Sequence, residues 1–328
     1  MKKVNLAIVG VTGLVGRTFL KVLEERNFPI DTLRLFASPN SAGKEITFKG
    51  RTFVIETLNN NSFKGLDIAL FSAGSSVSRE YAPIAAKSGC VVIDNSSAWR
   101  RDKNVPLVVP EVNPDDIFKH NGIIANPNCN VIPLVVVFSP LHKKYQITRV
   151  VVSTYQSISG AGQKGLDKLE KELQGLQTND KHRIFSNIIF HPVETEQPEI
   201  TNEEAKLHFE PCKILHSFDI KITSTCVRLP FFACHCEAVN IETKLPFQID
   251  EVKYLLANSK GIKIIDDLQN DDYPTPDIVK GKDEVYVGRI RRDNTIEKGM
   301  NLWVVSDNIR KGAATNAIQI AELLIKSE

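Results

Sequence analysis

The sequence lacks a strong charge of either sign. Its 41 Lys and Arg residues nearly balance 39 Asp and Glu residues in 328, which gives a formal net charge of +2. A chain this close to neutrality has no long-range field that would attract nucleic acid or an anionic membrane. We therefore expect neither as a partner, and any anionic ligand has to be bound by a few local cations.

Long apolar runs and paired cysteines are also missing. No stretch approaches 18 consecutive apolar residues, which excludes an ordinary membrane-spanning helix. The first residues, MKKVNLAIVGVTGLVG, are interrupted by glycines and contain no small-residue cleavage site, so a first β-strand explains them better than a signal peptide. The six cysteines include no CxxC. Without an export signal they predict free thiols in a reducing compartment, the cytoplasm.

The length predicts two domains, since 328 residues are many for one hydrophobic core. The first half alternates between strands and helices, which indicates a doubly wound parallel sheet up to about residue 126. Its strand candidates are 3–9, 32–37, 68–72, 91–93 and 123–125, and its helix candidates are 14–26 and 78–87.

The second half has longer β segments, and this pattern indicates a mixed or antiparallel sheet with helices on one face. The helix candidates are 131–143, 165–175 and 200–208, and the strand candidates are 148–155, 220–229, 237–245 and 301–305. Residues 179–202 are rich in Pro, Glu, Thr and His and predict an irregular loop. Residues 311–326 have helical spacing and could return to the first domain.

A glycine-rich element between the first strand and the first helix suggests a dinucleotide site. Gly10, Gly13 and Gly16 form GxxGxxG, which permits a tight turn and brings a helix N-terminus to a pyrophosphate. A turn without a ligand is the alternative. The second strand runs into FASPNS (36–41), which has no carboxylate for a ribose 2′-hydroxyl. Its Ser and Asn donors favour NADP over NAD.

Cys129 lies between a strand and a helix, where the helix dipole lowers a thiol pKa and favours the thiolate. An inert buried cysteine explains the residue equally well, and Cys90, Cys212 and Cys226 are expected to be packing residues. His235 is the candidate base, although a lone histidine is more often structural. Its neighbours Cys234 and Cys236 would point to the opposite face of a strand, which argues against a shared metal site.

The segments GVTGLVG, DNSSAWR, ANPNC, TYQSISGAG, NEEAK, RLPFFACH, VGRIRRD and NIRKGAATNAIQIAE resemble, in order and across nearly the whole chain, the signatures of aspartate-semialdehyde dehydrogenases. The resemblance implies an α/β, glyceraldehyde-3-phosphate-dehydrogenase-like fold. A Rossmann-type NADP-binding domain would cover 1–127 and be completed by the C-terminal helix 311–328. An α+β catalytic and dimerisation domain would cover 128–310 and form a homodimer.

The resemblance also implies the reaction, which is reductive dephosphorylation of β-aspartyl phosphate by NADPH. The product serves the synthesis of lysine (through diaminopimelate), methionine, threonine and isoleucine.

The same resemblance assigns roles to individual residues. The catalytic set would be the nucleophile Cys129, the general acid/base His235, and Gln156, which positions the acyl group. Arg228 would bind the substrate carboxylate, Glu203 its ammonium, and Arg100, Asn128 and Lys206 the phosphate. The cofactor would contact Gly10, Thr12, Gly13, Leu14, Val15, Ser38, Ser41, Ser72, Ala73, Gly74, Ser159, Gly160 and Asn316. Each also has a structural alternative: the charges could be solvated or support a helix N-terminus, and the amides could satisfy backbone groups.

Some positions depart from the family pattern. Asn130 and Val131 stand where relatives have Ser and Thr, Pro133 where they have Gln, Asn40 where many have Arg, and Cys234 and Cys236 where they have Gly and Ser. These changes bear on the reaction rate, on the preference for NADP and on packing behind His235. We expect Cys234 to make the site prone to oxidation. An N-acetyl-glutamyl-phosphate reductase, which would not need Glu203, and a catalytically inactive NADP-binding relative are the alternative functions.

Overall fold

The computed structural model describes residues 3–178, 180–193 and 197–327. The chain forms two compact units, Met1–Asn128 with Ala313–Glu328, and Cys129–Gly312. The boundaries expected from the sequence, 127/128 and 310/311, differ from these by one and two residues. The chain therefore leaves the first unit once and returns to it once.

The first unit is built on a largely parallel sheet. Its strands are β1 (Val4–Val9), β2 (Ile30–Ala37), β3 (Glu45–Phe48), β4 (Arg51–Thr57), β5 (Ile68–Phe71), β6 (Val91–Asp94) and β7 (Ile123–Ala125), and its helices are α1 (Leu14–Glu25), α2 (Ser75–Lys87) and α8 (Thr315–Ser327). The sheet order is β3-β4-β2-β1-β5-β6-β7, and β3–β4 is its antiparallel pair. The predicted doubly wound sheet is confirmed. The β3–β4 pair was not predicted, because these two strands at one end of the sheet are mostly exposed or partly exposed.

The C-terminal helix contributes to the core of the first unit. Helix α1 buries Phe19, Val22 and Leu23, which recur at helical spacing, in a cluster that also holds Ala317 and Ile318 of α8. Each large apolar side chain buried in this way stabilises the fold by about 1.5–3 kcal/mol. A π-helical turn, Arg310–Ala314, precedes α8, so the helix begins later than the predicted residue 311.

The second unit holds a mixed sheet. Its elements are α3 (Val131–Tyr145), β8 (Ile147–Ser157), α4 (Gln163–Leu173), β9 (Ile189–Phe190), α5 (Asn202–Leu215), β10 (Lys221–Leu229), β11 (His235–Thr243), α6 (Ile249–Ala257), β12 (Ile262–Ile264), α7 (Pro276–Val279), β13 (Val285–Asp293) and β14 (Gly299–Ser306). The sheet order is β12-β13-β14-β11-β8-β10-β9. The pairs β8–β10 and β12–β13 are parallel and the others antiparallel, which confirms the expected α+β arrangement.

Helix α5 packs on β10 and on α3. A capping box begins this helix: the Thr201 side chain accepts from the N–H of Glu204, and the Glu204 carboxylate accepts from the N–H of Thr201 at 2.7 Å. Such a cap stabilises a helix by about 1 kcal/mol. It fixes the first turn of α5, which carries Glu203, against the sheet.

Part of the predicted irregular loop, residues 179 and 194–196, lies outside the described residues. In the described remainder, the short strand β9 pairs antiparallel with the edge of β10. Within the described ranges, no helix is both long and apolar enough to cross a membrane.

Candidate active site

Three adjacent strands of the first unit end at one edge of its sheet. Strand β1 lies between β2 and β5 and is parallel to both, so the segments that follow these strands meet. Ten of the eleven predicted cofactor residues of this unit follow one of the three, the exception being Asn316: Gly10, Thr12, Gly13, Leu14 and Val15 after β1, Ser38 and Ser41 after β2, and Ser72, Ala73 and Gly74 after β5. The fold therefore brings these ten together, as a dinucleotide site requires.

Gly10 allows close approach of two of these segments. Its φ is +90°, and a Cβ at this position would lie 2.4 Å from the carbonyl oxygen of Ser72. A Cβ on Gly16 would lie 2.2 Å from the carbonyl oxygen of Gly10. Only glycine fits either position without a shift of the backbone. The turn thus packs tightly against both the start of α1 and the end of β5.

The N-terminus of α1 has room for an anion. Its N-cap, Gly13, provides no side-chain hydrogen bond to the first turn. The first N–H groups of a helix have no intrahelical partners, and they carry the positive end of the helix dipole. Thr12, Leu14 and Val15 are all partly exposed here. These features fit a pyrophosphate.

The end of β2 also fits a phosphorylated ribose. A single helical turn, Pro39–Ser41, follows Ser38, and both Ser38 and Asn40 are exposed. A groove of about 490 Å³ is lined by Thr12 together with three cations, Arg17, Lys21 and Lys44, and two carboxylates, Glu24 and Glu45. None of these five charged residues was predicted to belong to the cofactor site, and because both signs are present the groove alone does not indicate an anion site.

Arg100, predicted to bind phosphate, is buried. Its Nε donates to the carbonyl oxygen of Asn126 at 3.0 Å, and its Nη2 donates to that of Asn95 at 2.8 Å. These bonds fix the orientation of the guanidinium. Asn128, the last residue of the unit's first segment, is buried as well.

Asn316 occupies the first turn of α8 and is fully buried. Its Nδ2 donates to the carbonyl oxygen of Val108 at 3.0 Å and to Oδ1 of Asn126 at 2.7 Å. Both amide hydrogens are therefore used inside the first unit. This contact supports the structural alternative for the Nδ2 group, while a role beside the nicotinamide stays a prediction.

In the second unit, Cys129 is partly buried and immediately precedes Asn130, the N-cap of α3. Asn130 directs its Nδ2 to Oε2 of Glu203 at 3.5 Å and to Sγ of Cys129 at 4.0 Å. A Cβ on Gly312 would lie 3.1 Å from the Cβ of Cys129, so this glycine allows the chain to pass close to the cysteine. Asn130 thus connects the thiol to a carboxylate, a contact that relatives with Ser at this position would make differently.

Three predicted site residues share one row of the sheet. In the strand register, Gln156 of β8 lies opposite Arg228 of β10 on one side and His235 of β11 on the other. Because partners in register face the same side, all three side chains lie on one face. Gln156 is buried, and its Nε2 donates to Oγ1 of Thr154 at 3.0 Å. The predicted carboxylate, acyl and proton-transfer groups are therefore adjacent.

His235 is held by the backbone. The N–H of Ser157 donates to its Nδ1 at 3.1 Å, and the carbonyl oxygen of Cys234 lies at 3.1 Å from the same nitrogen. With Nδ1 accepting from Ser157, the neutral ring carries its proton on Nε2. Burial and the positive charge of Arg228 lower the pKa of His235 to about 3. At neutral pH the imidazole is uncharged.

A turn at Gly160 lies against the side chains of Arg228 and His235. A Cβ on this residue would lie 3.0 Å from Nη1 of Arg228 and 3.5 Å from Nε2 of His235. Beside it, Ser159 is buried, and its hydroxyl bonds to that of Ser157 at 2.7 Å and accepts from Nδ2 of Asn308 at 3.0 Å. Asn308 was not predicted to belong to the site, although it is the first residue of the segment NIRKG.

The side chains of Glu203 and Lys206 form an ion pair on α5. Glu203 is buried, and its charge acts on Arg228, His235 and His191. The two residues predicted to bind ammonium and phosphate therefore neutralise each other in this structure.

Two cysteines, Cys234 and Cys236, flank His235 in the sequence. Cys234 and Cys236 point away from His235 into a separate apolar cluster that contains Val305, as the strand alternation predicted. Cys234 is fully buried, and burial raises the pKa of its thiol. A buried thiol that resists ionisation is a poor target for oxidants, so the expectation that Cys234 makes the site prone to oxidation was wrong.

Three further cysteines, Cys90, Cys212 and Cys226, were expected to be packing residues. Burial raises the pKa of Cys90 and Cys226 to about 12, and Cys212 is buried too, in agreement with packing roles. Among the residues that the structure describes, no group of three or more His, Cys, Asp or Glu side chains could hold a metal ion.

Two buried titratable residues near the site were missed. Glu237, on the same face as His235, has neither carboxylate oxygen bonded to any described group. His191 follows β9 and contacts Arg228. No local pattern pointed to either, because each is recognised only through strand pairing.

Comparisons with known proteins agree over the whole length. The family model described as semialdehyde dehydrogenase, NAD binding domain matches residues 5–120, and semialdehyde dehydrogenase, dimerisation domain matches 138–311. The chain is 53% identical to an aspartate-semialdehyde dehydrogenase of Aquifex aeolicus, with 98% of each chain covered. It is similar to the structure of aspartate semialdehyde dehydrogenase II of Vibrio cholerae complexed with ASA (TM-score 0.94, 44% identity, 99% of each chain).

A more distant structure, aspartate semialdehyde dehydrogenase with NADP from Candida albicans, has a TM-score of 0.78 at 25% identity and 99% coverage of each chain. The relatives have the same two-domain fold, so the glyceraldehyde-3-phosphate-dehydrogenase-like architecture implied by the sequence is confirmed. Because a relative is 53% identical over 98% of the chain and both domain models match, the chain belongs to the aspartate-semialdehyde dehydrogenases, which are oxidoreductases that act on an aldehyde.

Proposed function

We propose that this chain catalyses the NADPH-dependent reductive dephosphorylation of β-aspartyl phosphate to aspartate semialdehyde, through a thioester on Cys129. The observation that carries the proposal is the grouping of Cys129, Glu203, Arg228 and His235 around one face of the second unit's sheet. The product would supply the synthesis of lysine, methionine and threonine.

In the first step, the Cys129 thiolate attacks the acyl carbon. Its position just before α3 favours the thiolate, and the first amides of α3 can stabilise the oxyanion that forms. The bond from the acyl carbon to the phosphate oxygen breaks, a thioester remains, and phosphate leaves with a proton from solvent. Arg100, Asn128 and Lys206 are proposed to bind that phosphate.

When bound, NADPH supplies the hydride, two electrons with one hydrogen, that reduces the thioester carbon. The Nε2–H of His235 shares its proton with the resulting oxyanion through a hydrogen bond, as the acid/base group of this step. The proton stays on Nε2 as the carbon–sulfur bond breaks, which releases the aldehyde and restores the Cys129 thiolate. The proposed tautomer, with the proton on Nε2, fits this role because Nδ1 is already engaged by Ser157.

The substrate has one carboxylate and one ammonium, and the second unit offers a partner for each. Arg228 presents a planar guanidinium, which suits a carboxylate. Glu203 presents a buried carboxylate, which suits an ammonium. Gln156, between Arg228 and His235, would position the acyl group. The need for Glu203 is what separates this substrate from an N-acetylated one.

NADP is the proposed cofactor, bound by the ten residues along the sheet edge of the first unit, with Ser159, Gly160 and Asn316 beside the nicotinamide. The match to the NAD binding domain model supports it, as does the lack of a carboxylate in the segment 36–41, which contains Ser38 and Ser41. We further propose a cytoplasmic homodimer formed through the second unit, supported by the dimerisation-domain match. No disulfide joins the six cysteines, all of which lie in the described part of the chain, and this supports a reducing compartment.

The test is reduction of NADP by aspartate semialdehyde in the presence of phosphate, followed by nicotinamide absorbance. Activity that requires both phosphate and NADP, and that is much weaker with NAD, is the expected result. No activity with fresh, reduced protein would overturn the proposal. Activity on N-acetyl-glutamate semialdehyde instead would identify the blocked-amine reaction as the function.

A further inference from the structure

His191 is a buried histidine beside the predicted carboxylate-binding residue. It follows β9, whose Ile189 is the register partner of Arg228 on β10. Because side chains alternate along a strand, His191 lies on the same side as Ile189 and therefore as Arg228. Nη2 of Arg228 lies 3.2 Å from Nδ1 of His191.

This contact fixes the tautomer of His191. A guanidinium has only donors, so Nδ1 of the imidazole has to accept and the ring proton has to be on Nε2. The surrounding charged groups are Arg228 on β10 and Glu203, Glu204 and Lys206 on α5. Burial is the main cause that lowers the pKa of His191 to about 4, so the ring is neutral and able to accept.

The buried proton on Nε2 has no acceptor among the described residues. A buried donor without a partner costs free energy, and an apolar side chain would avoid that cost. Simple packing therefore does not explain a histidine at this position. The contact to Arg228 does.

Arg228 is held from two sides. Its Nη1 donates to the carbonyl oxygen of Ser157 at 3.0 Å, and its Nη2 donates to His191. Two acceptors on different atoms define the plane of a guanidinium, whereas one leaves it free to rotate. Since carboxylate recognition depends on that plane, the acceptor on His191 decides which way the remaining donors point.

We propose that His191 is a positioning residue that orients the guanidinium of Arg228 for the carboxylate of the substrate. The inference rests on the proposed function, in which Arg228 binds that carboxylate. Its effect is on substrate binding, which is shared by the ground state and the transition state, and so it acts on KM more than on kcat.

The test compares His191→Ala, His191→Asn and His191→Gln with the unaltered enzyme. Asparagine places its carbonyl oxygen near the Nδ1 position, whereas glutamine places it near Nε2. We expect His191→Ala to raise the KM for aspartate semialdehyde about tenfold, the size of a lost hydrogen bond to a charged group, and to change the phosphate KM and kcat less than about threefold. His191→Asn should restore most of the semialdehyde KM, and His191→Gln should not.

His208→Ala is the matched control, because it also removes a partly buried imidazole from the second unit, one that contacts Ser224 at 3.2 Å. It should leave all three constants unchanged. Equal KM values in His191→Ala and the unaltered enzyme would overturn the inference, as would a uniform loss that asparagine does not rescue. If His191→Ala does not fold, the contrast between Asn and Gln decides the question.

A second measurement does not depend on turnover. Long-range ¹H–¹⁵N spectra of the histidine rings, assigned with His191→Asn, should show His191 as the neutral Nε2–H tautomer. The Nδ1–H tautomer would overturn the inference, because that nitrogen could not accept from Arg228. If the unaltered enzyme shows no semialdehyde-dependent activity, the proposed function fails, and the spectrum still decides whether His191 holds Arg228.

Discussion

Glu203 and Lys206 bind each other through one turn of α5, with the Lys206 side chain 24% exposed and that of Glu203 11%. The substrate is expected to bring an ammonium to Glu203 and a phosphate to Lys206. Each ligand charge then replaces the partner that the residue has in this structure. Binding of the two substrate groups is therefore linked through this ion pair.

Substituting Glu203 and Lys206 one at a time should distinguish the ammonium-binding role from the phosphate-binding role. Glu203→Gln is expected to raise the KM for aspartate semialdehyde by about tenfold or more, since it removes a buried partner for a charged group. Lys206→Ala should instead raise mainly the KM for phosphate. Steady-state kinetics with each substrate varied in turn measures this split. The same pattern of change in both variants would contradict the assignment.

Cys129→Ala should reduce turnover by at least about 10⁴-fold, because no other group replaces the nucleophile. Binding of NADPH, measured by its fluorescence, should stay within about twofold, as the pyrophosphate loop is elsewhere in the chain. Cys90→Ala, the same change at a buried cysteine of the first unit, is the control and should retain full turnover. Turnover by Cys129→Ala would remove the thioester from the mechanism.

The buried histidines predict a loss of stability in mild acid. The pKa of His235 is lowered to about 3 and that of His191 to about 4, mainly by burial, whereas both titrate near 6.5 when the chain is unfolded. Below pH 6.5 the unfolded chain takes up protons that the folded chain does not, so stability falls until the folded pKa values are reached. Each residue can remove at most about 2 kcal/mol at pH 5 relative to pH 7.

Urea denaturation at pH 7 and pH 5 measures this loss, and His191→Asn should reduce the difference between the two. If the unfolding free energy falls by the same amount between pH 7 and pH 5 in the variant and in the unaltered chain, His191 is not kept neutral by the fold.

Glu237 predicts the opposite trend. Burial raises its pKa well above the usual 4.5, so the folded chain holds a proton that the unfolded chain loses as pH rises. The stability it contributes is complete below pH 4.5 and is lost as pH increases towards the folded pKa, by at most about 1.4 kcal/mol per pH unit. Glu237→Gln, which cannot ionise, should therefore be more stable than the unaltered chain at pH 8 and nearly equal at pH 4.5. A variant less stable at pH 8 would show that the carboxylate is charged and paired.

Gly10→Ala should weaken NADPH binding by about tenfold or more, because its Cβ would overlap the Ser72 carbonyl and distort the loop. Gly89→Ala is the matched control: its φ of +87° is nearly the same, but nothing lies within 4 Å of the added Cβ. It shares the backbone strain without the overlap. Fluorescence titration of both variants separates the two effects, and equal weakening would mean that strain alone is responsible.

Much of the first unit could be predicted because its strands are short, buried and apolar. Strands such as Ile68–Phe71 are buried along their whole length, so a continuous apolar run marks them, and the glycine turn marks the site at their ends. Strand β13 was not predicted, because its side-chain pattern is irregular. Its register shifts between Gly288 and Arg291, and Arg289 has a φ of 52°, so the alternation that identifies a strand is broken within it.

The site was predictable where motifs are continuous and not where strands bring distant residues together. The predictions for Cys129 and His235 rest on their local segments. The contact of His191 with Arg228 could not, because 37 residues separate them and β9 is only two residues long. Likewise, the i,i+3 spacing of Glu203 and Lys206 is compatible with an ion pair, but the sequence alone did not show that two residues predicted to bind different substrate groups pair with each other.

Ser157 serves two neighbours through its main chain: its N–H supports His235 and its carbonyl oxygen supports Arg228. Neither of these two bonds uses its hydroxyl, so a substitution that keeps the backbone path would keep both; the hydroxyl itself lies 3.4 Å from Nδ1 of His235. Proline is the exception, since it lacks the N–H. The position of His235 relative to Arg228 is thus set by the backbone path of β8, through the two main-chain groups of this one residue.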